Sequence, residues 1–364
     1  MLRYLTAGES HGPQLTAILE GMVAGLPIDR KKINHELWRR RQGYGRGKRM
    51  KIENDKIEIL SGVRFGKTLG TPITVAIKNK DWKNWKKTMS VDLISAMEMK
   101  KVKKVTNIRP GHADYPGVLK YGVKDIRDIL ERASARETAM RTAVGAICRQ
   151  FLSQFNIKIK SVIEIVGGYQ THGKITKRVK EVIDSVRKEG DTIGGIFRLL
   201  VQNAPVGLGS HTHWDKKLDA RISRALISIQ AIKGVEFGLG FSYAFFKGSE
   251  VHDQITIKNK KVTRLSNNAG GIEGGMTNGE DIDIRIALKP IATMKKQLQS
   301  INIFTKKKVK AHYERSDVSV VEAATVVAEN VIATEITNAM LEKFGGDSLK
   351  ETKTNYQNYI KTTK

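Results

Sequence analysis

An amphipathic pattern over residues 124–155 constrains the fold of this chain more than any other feature of its sequence. Apolar residues recur there at spacings of three and four, which predicts one long helix with an apolar face. Residues 214–238 and 315–341 predict two more long helices, and Ser316 or Asp317 could cap the last one. Such helices need sheets or other helices to cover their apolar faces.

The segments between these helices favour strands. Residues 2–7 predict a first strand, residues 56–79 a meander broken by glycine turns, and residues 157–167 and 271–290 further strands. The alternation contains neither a convincing repeat nor a Pro/Ser-rich linker. We therefore expect an α+β fold in a single interwoven domain over residues 1–345. A polar tail, 346–364, would be mobile or bound to a partner.

The chain of 364 residues carries a net charge of +27, which points to anionic ligands. Its one cysteine, Cys148, lies within an apolar helical pattern, so a disulfide is excluded and a buried thiol is expected. The sequence has no apolar signal core, and no apolar run reaches the ~18 residues of a membrane span. We expect a cytoplasmic protein that does not bind membranes.

Two motifs resemble catalytic signatures but lack the context those signatures need. "GESHG" at 8–12 matches the G-x-S-x-G nucleophile elbow, yet too little chain precedes it to build the parallel sheet on which that elbow sits. "HTHWD" at 211–215 resembles a metal-ligand pattern, but Lys216 follows it and no matching ligand set lies downstream. We expect neither a serine nucleophile nor a metal site.

Seven polar clusters rich in Gly and Arg lie scattered along the chain. Each alone is typical of a surface turn, but together they predict one site that several segments build around polyanionic ligands. Arg132 and Arg136 are spaced so that their guanidinium groups could meet one anion on a shared helix face. The clusters supply these candidates: Ser10 and His11; Arg40 and Arg46; Arg109 and His112; Arg132, Ser134 and Arg136; the glycine loop 267–279; Lys289; Arg315 and Asp317.

The clusters, in this order, resemble the chorismate synthase family. The resemblance rests on "GESHG", "RRRQGYGRG", "ILSGVRFGKTLGTPI", "RPGHADYPG", "RASARETAMRTAVGAI", "AIKGVEFG", "AGGIEGGMTNG" and "RSDV", and runs from about residue 4 to about 345. It implies long helices packed between antiparallel β-sheets and a homotetramer. It also implies a 1,4-anti elimination of phosphate from 5-enolpyruvylshikimate 3-phosphate, which yields chorismate and depends on reduced FMN (FMNH2).

The resemblance assigns roles residue by residue. His112 matches the histidine that protonates the reduced flavin, His11 the one that protonates the leaving phosphate, and Asp317 the acid that works with the flavin in removing the C6 proton. Substrate or NADP contacts fall on Arg40 and Arg46, and the polar clusters add Ser10, Arg109 and Arg136 to them. Flavin contacts fall on Arg132, Ala133, Ser134, Gln230, Ala231, Gly274, Lys289, Pro290, Ile291, Ala292, Thr293 and Arg315.

Some positions depart from the family pattern, and some alternatives stay open. Gln42 stands where Pro is common, and Gln230 where Asn is common. NADPH would be a cofactor only if the enzyme reduced its own flavin, and the lack of a large insertion suggests an external flavin reductase instead. A nucleic-acid-binding protein is the rival from another class, but aromatic residues make up only 6% of the chain and do not interleave with Lys and Arg. A flavin-binding paralogue without activity would lack His11, His112 or Asp317.

Overall fold

Short strands and helices alternate along the whole chain. We describe the protein from a computed structural model, which describes residues 1–47, 53–258, 261–314 and 316–362. The helices are α1 Arg30–Arg41, α2 Ala96–Lys101, α3 Asp114–Tyr121, α4 Arg127–Ala133, α5 Thr138–Ser153, α6 Lys177–Glu189, α7 Leu218–Ile227, α8 Gly248–Val251, α9 Val321–Phe344 and α10 Leu349–Thr362. Short 3₁₀ turns cover Lys80–Asn84, Ala135–Glu137, Trp214–Lys216 and Gly240–Phe245.

The strands form two main antiparallel sheets and several two-stranded ribbons. They are β1 Arg3–Ala7, β2 Gln14–Glu20, β3 Glu58–Ile59, β4 Val63–Arg64, β5 Lys67–Thr68, β6 Ile73–Lys78, β7 Lys158–Val166, β8 Tyr169–Gln170, β9 Gly195–Gln202, β10 Ile232–Phe237, β11 Ile255–Lys258, β12 Lys261–Arg264, β13 Ile272–Glu273, β14 Met276–Thr277, β15 Ile282–Leu288, β16 Gln299–Ile301 and β17 Lys308–Lys310. One sheet has the order β1-β2-β6-β3 and the other the order β10-β15-β9-β7-β8.

Helices α5 and α9 lie between the two main sheets. Helix α5 contacts strands β1, β2 and β6 of the first sheet, and α9 contacts β7 and β9 of the second. The two helices can approach closely because Gly145 has no side chain. A Cβ atom at this position would lie only 2.0 Å from the backbone oxygen of Asn330. Helix α9 is buried on nearly every side, as expected of a helix whose apolar residues are not confined to one face. The predicted α+β arrangement, with helices between antiparallel sheets, is confirmed.

A smaller apolar cluster positions the histidine turn. Ile108 packs there with Ile126 and Leu130 of the α4 region and with Ile303. The Ile108 N–H donates to the backbone oxygen of Ile301, and Ser300 Oγ donates to the oxygen of Ile108 at 2.6 Å. The turn that follows Ile108 is therefore anchored at its base.

The structure corrects several predicted element boundaries. The predicted helix over 124–155 is broken at Ser134, whose backbone is extended (φ −63°, ψ 137°). The side chain of Ser134 accepts a hydrogen bond from the Arg136 N–H, in place of the backbone acceptor that a continuous helix would provide. Because of that break, Arg132 and Arg136 do not share a helix face. The predicted helix over 214–238 ends at Ile227 and is followed by strand β10. The last long helix begins at Val321, and neither Ser316 nor Asp317 caps it.

Most of the polar tail, expected to be mobile or bound to a partner, is helical in the structure. Helix α10 places Tyr356 edge-on against Phe344 and Phe155, with ring centroids 5.3 and 5.1 Å away. Tyr359 Oη donates to the backbone oxygen of Val206 at 3.0 Å. Its aromatic residues, spaced along one side of an otherwise polar segment, dock the helix onto the domain.

Candidate active site

Six distant segments converge on one cavity of about 480 Å³. The strand-end loop after β1, the turn before α3, the break between α4 and α5, the loop before β10, the loop after β15 and the segment before α9 each supply part of its wall. Its lining residues include Ser10, His11, Arg109, Gly111, His112, Ala133, Ser134, Gln230, Ala231, Lys289, Ile291, Ala292, Thr293, Glu314 and Asp317. The sequence clusters therefore meet in space.

A second, smaller compartment of about 190 Å³ adjoins this cavity. Three of the predicted arginines line it: Arg40, Arg46 and Arg136. The two compartments share walls formed by Ser134, Ala135, Gln230, Ser316, Asp317 and Val320. The larger compartment is thus lined by His11, His112 and Arg109, and the adjoining smaller one by Arg40, Arg46 and Arg136.

His11 is buried in the wall and is held from two directions. Its Nδ1 lies 2.8 Å from Glu131 Oε1, and its backbone N–H donates to Glu131 Oε2 at 2.7 Å. The ring also stacks on Trp85, with centroids 3.9 Å apart. Burial by itself would raise the pKa of Glu131, but the hydrogen bonds from His11 and the electrostatic attraction of His11 and Arg127 together leave that pKa below its usual value. The carboxylate is therefore ionised and accepts from Nδ1.

His112 is held in a similar way. Its Nδ1 lies 2.5 Å from Asp114 Oδ1, and Arg109 donates to both oxygens of the same carboxylate, at 2.8 and 2.9 Å. Burial favours the neutral acid, yet the bonds from His112 and Arg109 hold the pKa of Asp114 well below its usual range. Gly111 has φ +75°, a backbone conformation that suits glycine, and its carbonyl oxygen accepts from Lys289 Nζ at 2.5 Å.

Two arginines of the smaller compartment, Arg40 and Arg136, are paired with the buried carboxylate of Asp55. Arg136 Nη1 donates to Asp55 Oδ1 at 2.7 Å, and Arg40 Nη1 lies 3.6 Å from Asp55 Oδ2. Burial lowers the pKa of Arg40 to about 10, and the charges of Arg136 and Arg46 act in the same direction. Within the described part of the chain, Arg40 Nη1 has no hydrogen-bond partner. A buried guanidinium left partly unsatisfied beside a cavity fits an anionic ligand.

Gln230 presents a second unsatisfied polar atom to both compartments. Its Nε2 donates to Glu137 Oε1 at 3.0 Å, which fixes the orientation of the amide. Its Oε1 is buried and has no hydrogen-bond partner among the described residues. The departure from Asn at this position therefore keeps an amide acceptor in the shared wall.

Not every predicted site residue lies in these walls. Arg132 is exposed and donates to the backbone oxygens of Thr6 and Gly8 at 2.7 and 3.3 Å, so it ties α4 to the end of β1. Gly274 and Pro290 are not among the described wall residues of either compartment. Arg315 lies outside the described residues.

Sequence reasoning missed the groups that support the site. Glu131, Asp55 and Glu314 contact site or supporting residues that are distant in the sequence, which are His11, Arg136 and Arg127 respectively. Asp114, Glu131 and Glu314 each lie within two residues of a candidate site residue but were given no role, whereas Asp55 lies near none. Trp85 belongs to none of the sequence clusters, yet it stacks on His11.

Among the described residues, neither of the two motifs set aside in the sequence shows the serine-nucleophile or metal-ligand arrangement that it resembles. Ser10 Oγ donates to Ser134 Oγ at 3.1 Å. In "HTHWD", exposed His213 pairs with Asp215 of the same turn. In the described ranges no group of three His, Cys, Asp or Glu side chains could hold a metal ion. Nor does a helix there combine the length and apolar character needed to cross a membrane.

Comparison with known proteins shows the family of this chain. The family model described as chorismate synthase matches residues 2–341. A chorismate synthase of Caldanaerobacter subterraneus subsp. tengcongensis is 54% identical over 360 residues, covering 99% of this chain and 98% of its own. One of Geobacter sulfurreducens is 52% identical over 390 residues, with coverage of 99% and 98%. A crystal structure of chorismate synthase aligns with TM-score 0.79 and 41% identity, covering 100% of this chain and 98% of that one. The chain belongs to the chorismate synthase family, the carbon–oxygen lyases of the last step of the shikimate pathway.

Proposed function

We propose that the two adjoining compartments hold reduced FMN and 5-enolpyruvylshikimate 3-phosphate together, and that their walls carry out the 1,4-anti elimination that forms chorismate. In this reaction the C3–O bond breaks and its electron pair leaves with phosphate, while a proton leaves C6. The observation that carries the proposal is the convergence of two carboxylate-supported histidines and five cationic side chains on two adjoining cavities. The cationic side chains are Arg40, Arg46, Arg109, Arg136 and Lys289.

The wall residues fit a flavin. Ala133, Ser134, Ala231 and the stretch 291–293 are apolar or weakly polar and leave room for a flat ring, while Gln230 Oε1 offers an unpartnered acceptor within the described residues. Lys289 supplies a cation whose pKa is lowered by partial burial and by Lys233. When bound, the reduced flavin supplies transient electron density that helps phosphate to leave.

The histidines are placed to manage protons. An ionised carboxylate on each Nδ1 leaves Nε2 as the ring atom that can exchange a proton with a ligand. We assign His11 to the leaving phosphate and His112 to the reduced flavin. Asp317, on the wall that both compartments share, is assigned to the C6 side of the substrate.

The cationic side chains of the walls would neutralise the negative charges of the two ligands. The substrate carries two carboxylates and a phosphate, and FMN adds a second phosphate. Two such polyanions in one partly dry chamber would repel each other strongly without counter-charges. Arg40, Arg46, Arg109 and Arg136, with Ser10 as a further donor, would hold the substrate or NADP, and cations placed near the phosphate stabilise charge as it departs.

The proposal also includes the location, the oligomeric state and the flavin supply of the enzyme. We retain a cytoplasmic homotetramer that takes reduced FMN from an external flavin reductase, with NADPH needed only if the enzyme reduces its own flavin. Arg132, Gly274, Pro290 and Arg315 are retained as flavin contacts on family resemblance alone.

An anaerobic assay tests the proposal. Purified protein with dithionite-reduced FMN and 5-enolpyruvylshikimate 3-phosphate should release chorismate, followed by absorbance, and phosphate in equal amounts. Oxidised FMN should support neither product. NADPH with oxidised FMN, without dithionite, separates an enzyme that reduces its own flavin from one that does not. Absence of both products with reduced FMN would refute the proposed activity.

A further inference from the structure

Glu131 makes more contacts with the His11 region than an ion pair requires. Its side chain is 3% exposed, and it accepts from both the backbone N–H and Nδ1 of His11. Its own backbone oxygen accepts the Ser10 N–H at 3.1 Å. One residue of α4 therefore fixes the loop that carries His11 as well as the direction of the imidazole ring.

Two further side chains complete a clamp around His11. Arg127, one helical turn before Glu131, donates to Glu131 Oε1 at 3.0 Å and holds the carboxylate in place. Its other Nη donates to Glu314, and its Cζ lies 4.8 Å from the centroid of Trp85. Trp85 in turn covers one face of the His11 ring. Trp85 is not among the described cavity-lining residues, so the ring is supported from outside the chamber.

From this geometry we propose that Glu131 is a positioning residue for the reaction, which acts only through His11. A carboxylate accepts hydrogen bonds and cannot donate them when ionised, so it selects the ring form with a proton on Nδ1. The ring then presents Nε2 to the cavity in one orientation. This inference rests on the proposed role of His11 as the proton donor to phosphate.

The test is a double-mutant cycle with Glu131→Gln and His11→Ala. Gln keeps the size of the side chain but brings an NH2 group toward the donors of His11 and Arg127, so the ring loses its single preferred form. We expect Glu131→Gln to lower kcat ~10-fold or more while the KM for substrate changes less than about 3-fold. In the His11→Ala background the same substitution should have almost no further effect on kcat, because the effects of substituting two residues that act as one unit do not add. Asp128→Asn, on the same helix but exposed, is the matched control and should leave turnover unchanged.

A spectroscopic readout separates positioning from general support of the fold. In ligand-free protein labelled with nitrogen-15 at histidine, the His11 signals, assigned by their loss in His11→Ala, should report a proton on Nδ1 in the wild type. In Glu131→Gln they should report a changed distribution between the ring nitrogens. If Glu131→Gln folds poorly, Glu131→Asp replaces it in the same double-mutant cycle. The shorter side chain keeps the negative charge but moves it away from Nδ1 of His11. We expect Glu131→Asp to lower turnover when His11 is present and to have no further effect in the His11→Ala background.

The outcomes are distinct from those of the proposed function. If His11→Ala keeps full turnover, the role proposed for His11 is wrong. If His11→Ala loses turnover but Glu131→Gln and Glu131→Asp do not, or if they lower turnover equally in both backgrounds, the positioning role of Glu131 is wrong.

Discussion

Arg46 Nη1 lies 2.8 Å from Asp317 Oδ2, and the neighbouring Gly47 N–H donates to Asp317 Oδ1 at 2.5 Å. This ion pair joins the loop after α1 to the segment before α9. Asp317 thereby lies on the boundary between the two compartments instead of capping α9, as the sequence had suggested. The Asp317 carboxylate is therefore placed at the boundary where ligands of the two compartments would meet.

Asp317→Asn tests that position. Asn keeps the shape and an acceptor for the Gly47 N–H but removes the charge, so we expect turnover to fall ~10²-fold while the protein stays folded. Steady-state kinetics and a thermal melt measure the two effects. Asp215→Asn, which changes an exposed carboxylate in "HTHWD", should leave both unchanged. Wild-type turnover in Asp317→Asn would remove Asp317 from the mechanism.

His112→Ala should separate chemistry from flavin binding. Because His112 rests on Asp114 rather than filling the cavity, we expect flavin affinity to stay largely intact and turnover to fall ~10²-fold or more. Flavin fluorescence titration and the chorismate assay give the two values. His213→Ala serves as the comparison variant, since His213 is exposed and outside the cavity walls. Equal turnover in both variants would contradict the role assigned to His112.

Arg40→Lys should weaken substrate binding more than it weakens the fold. Lysine keeps the positive charge but lacks the planar fork that can bind Thr138 Oγ1, the Ala135 oxygen and an anion at the same time. We expect KM for the phosphorylated substrate to rise ~10-fold or more, with a free energy of unfolding within about 1 kcal/mol of wild type. A variant that loses stability while keeping its KM would show that Arg40 is structural.

Glu314 should contribute to stability in a pH-dependent way. Burial alone would raise its pKa, but the hydrogen bond from His312 and the charge of Arg127 lower it from 4.5 to about 2. A carboxyl group whose pKa is lower in the folded state stabilises the protein above its unfolded pKa, and this contribution is lost as the pH falls through the folded value. The stabilisation is therefore full above about pH 4.5 and disappears toward about pH 2.

Urea unfolding at about pH 6 and about pH 3 measures this effect. Glu314→Gln should reduce the difference in unfolding free energy between the two pH values. Glu181→Gln, at an exposed position of α6, should leave that difference unchanged. An equal acid dependence in wild type and Glu314→Gln would contradict the assignment.

Local patterns predicted some elements well and others poorly. Strand β1 covers Arg3–Ala7, within one residue of the first strand predicted over 2–7. The predicted helix over 124–155 shows the limit of periodicity: apolar spacing continues through Ser134, but the side chain of that serine competes for a backbone N–H and breaks the helix. The consequence is functional, because the break places Ser134 in the wall of both compartments while Arg132 turns outward.

The sequence by itself determined which residue types are available for chemistry: the histidines at 11 and 112, the arginines in their glycine-rich turns and the family to which those motifs belong. Only the tertiary structure decided which of them meet, and which buried acids support them. Glu131 and Trp85 reach His11 from separate elements, and Asp55 supports Arg136 from another. The physical reason is that motif and periodicity report local conformation, whereas a contact between distant segments depends on how two sheets and their helices pack.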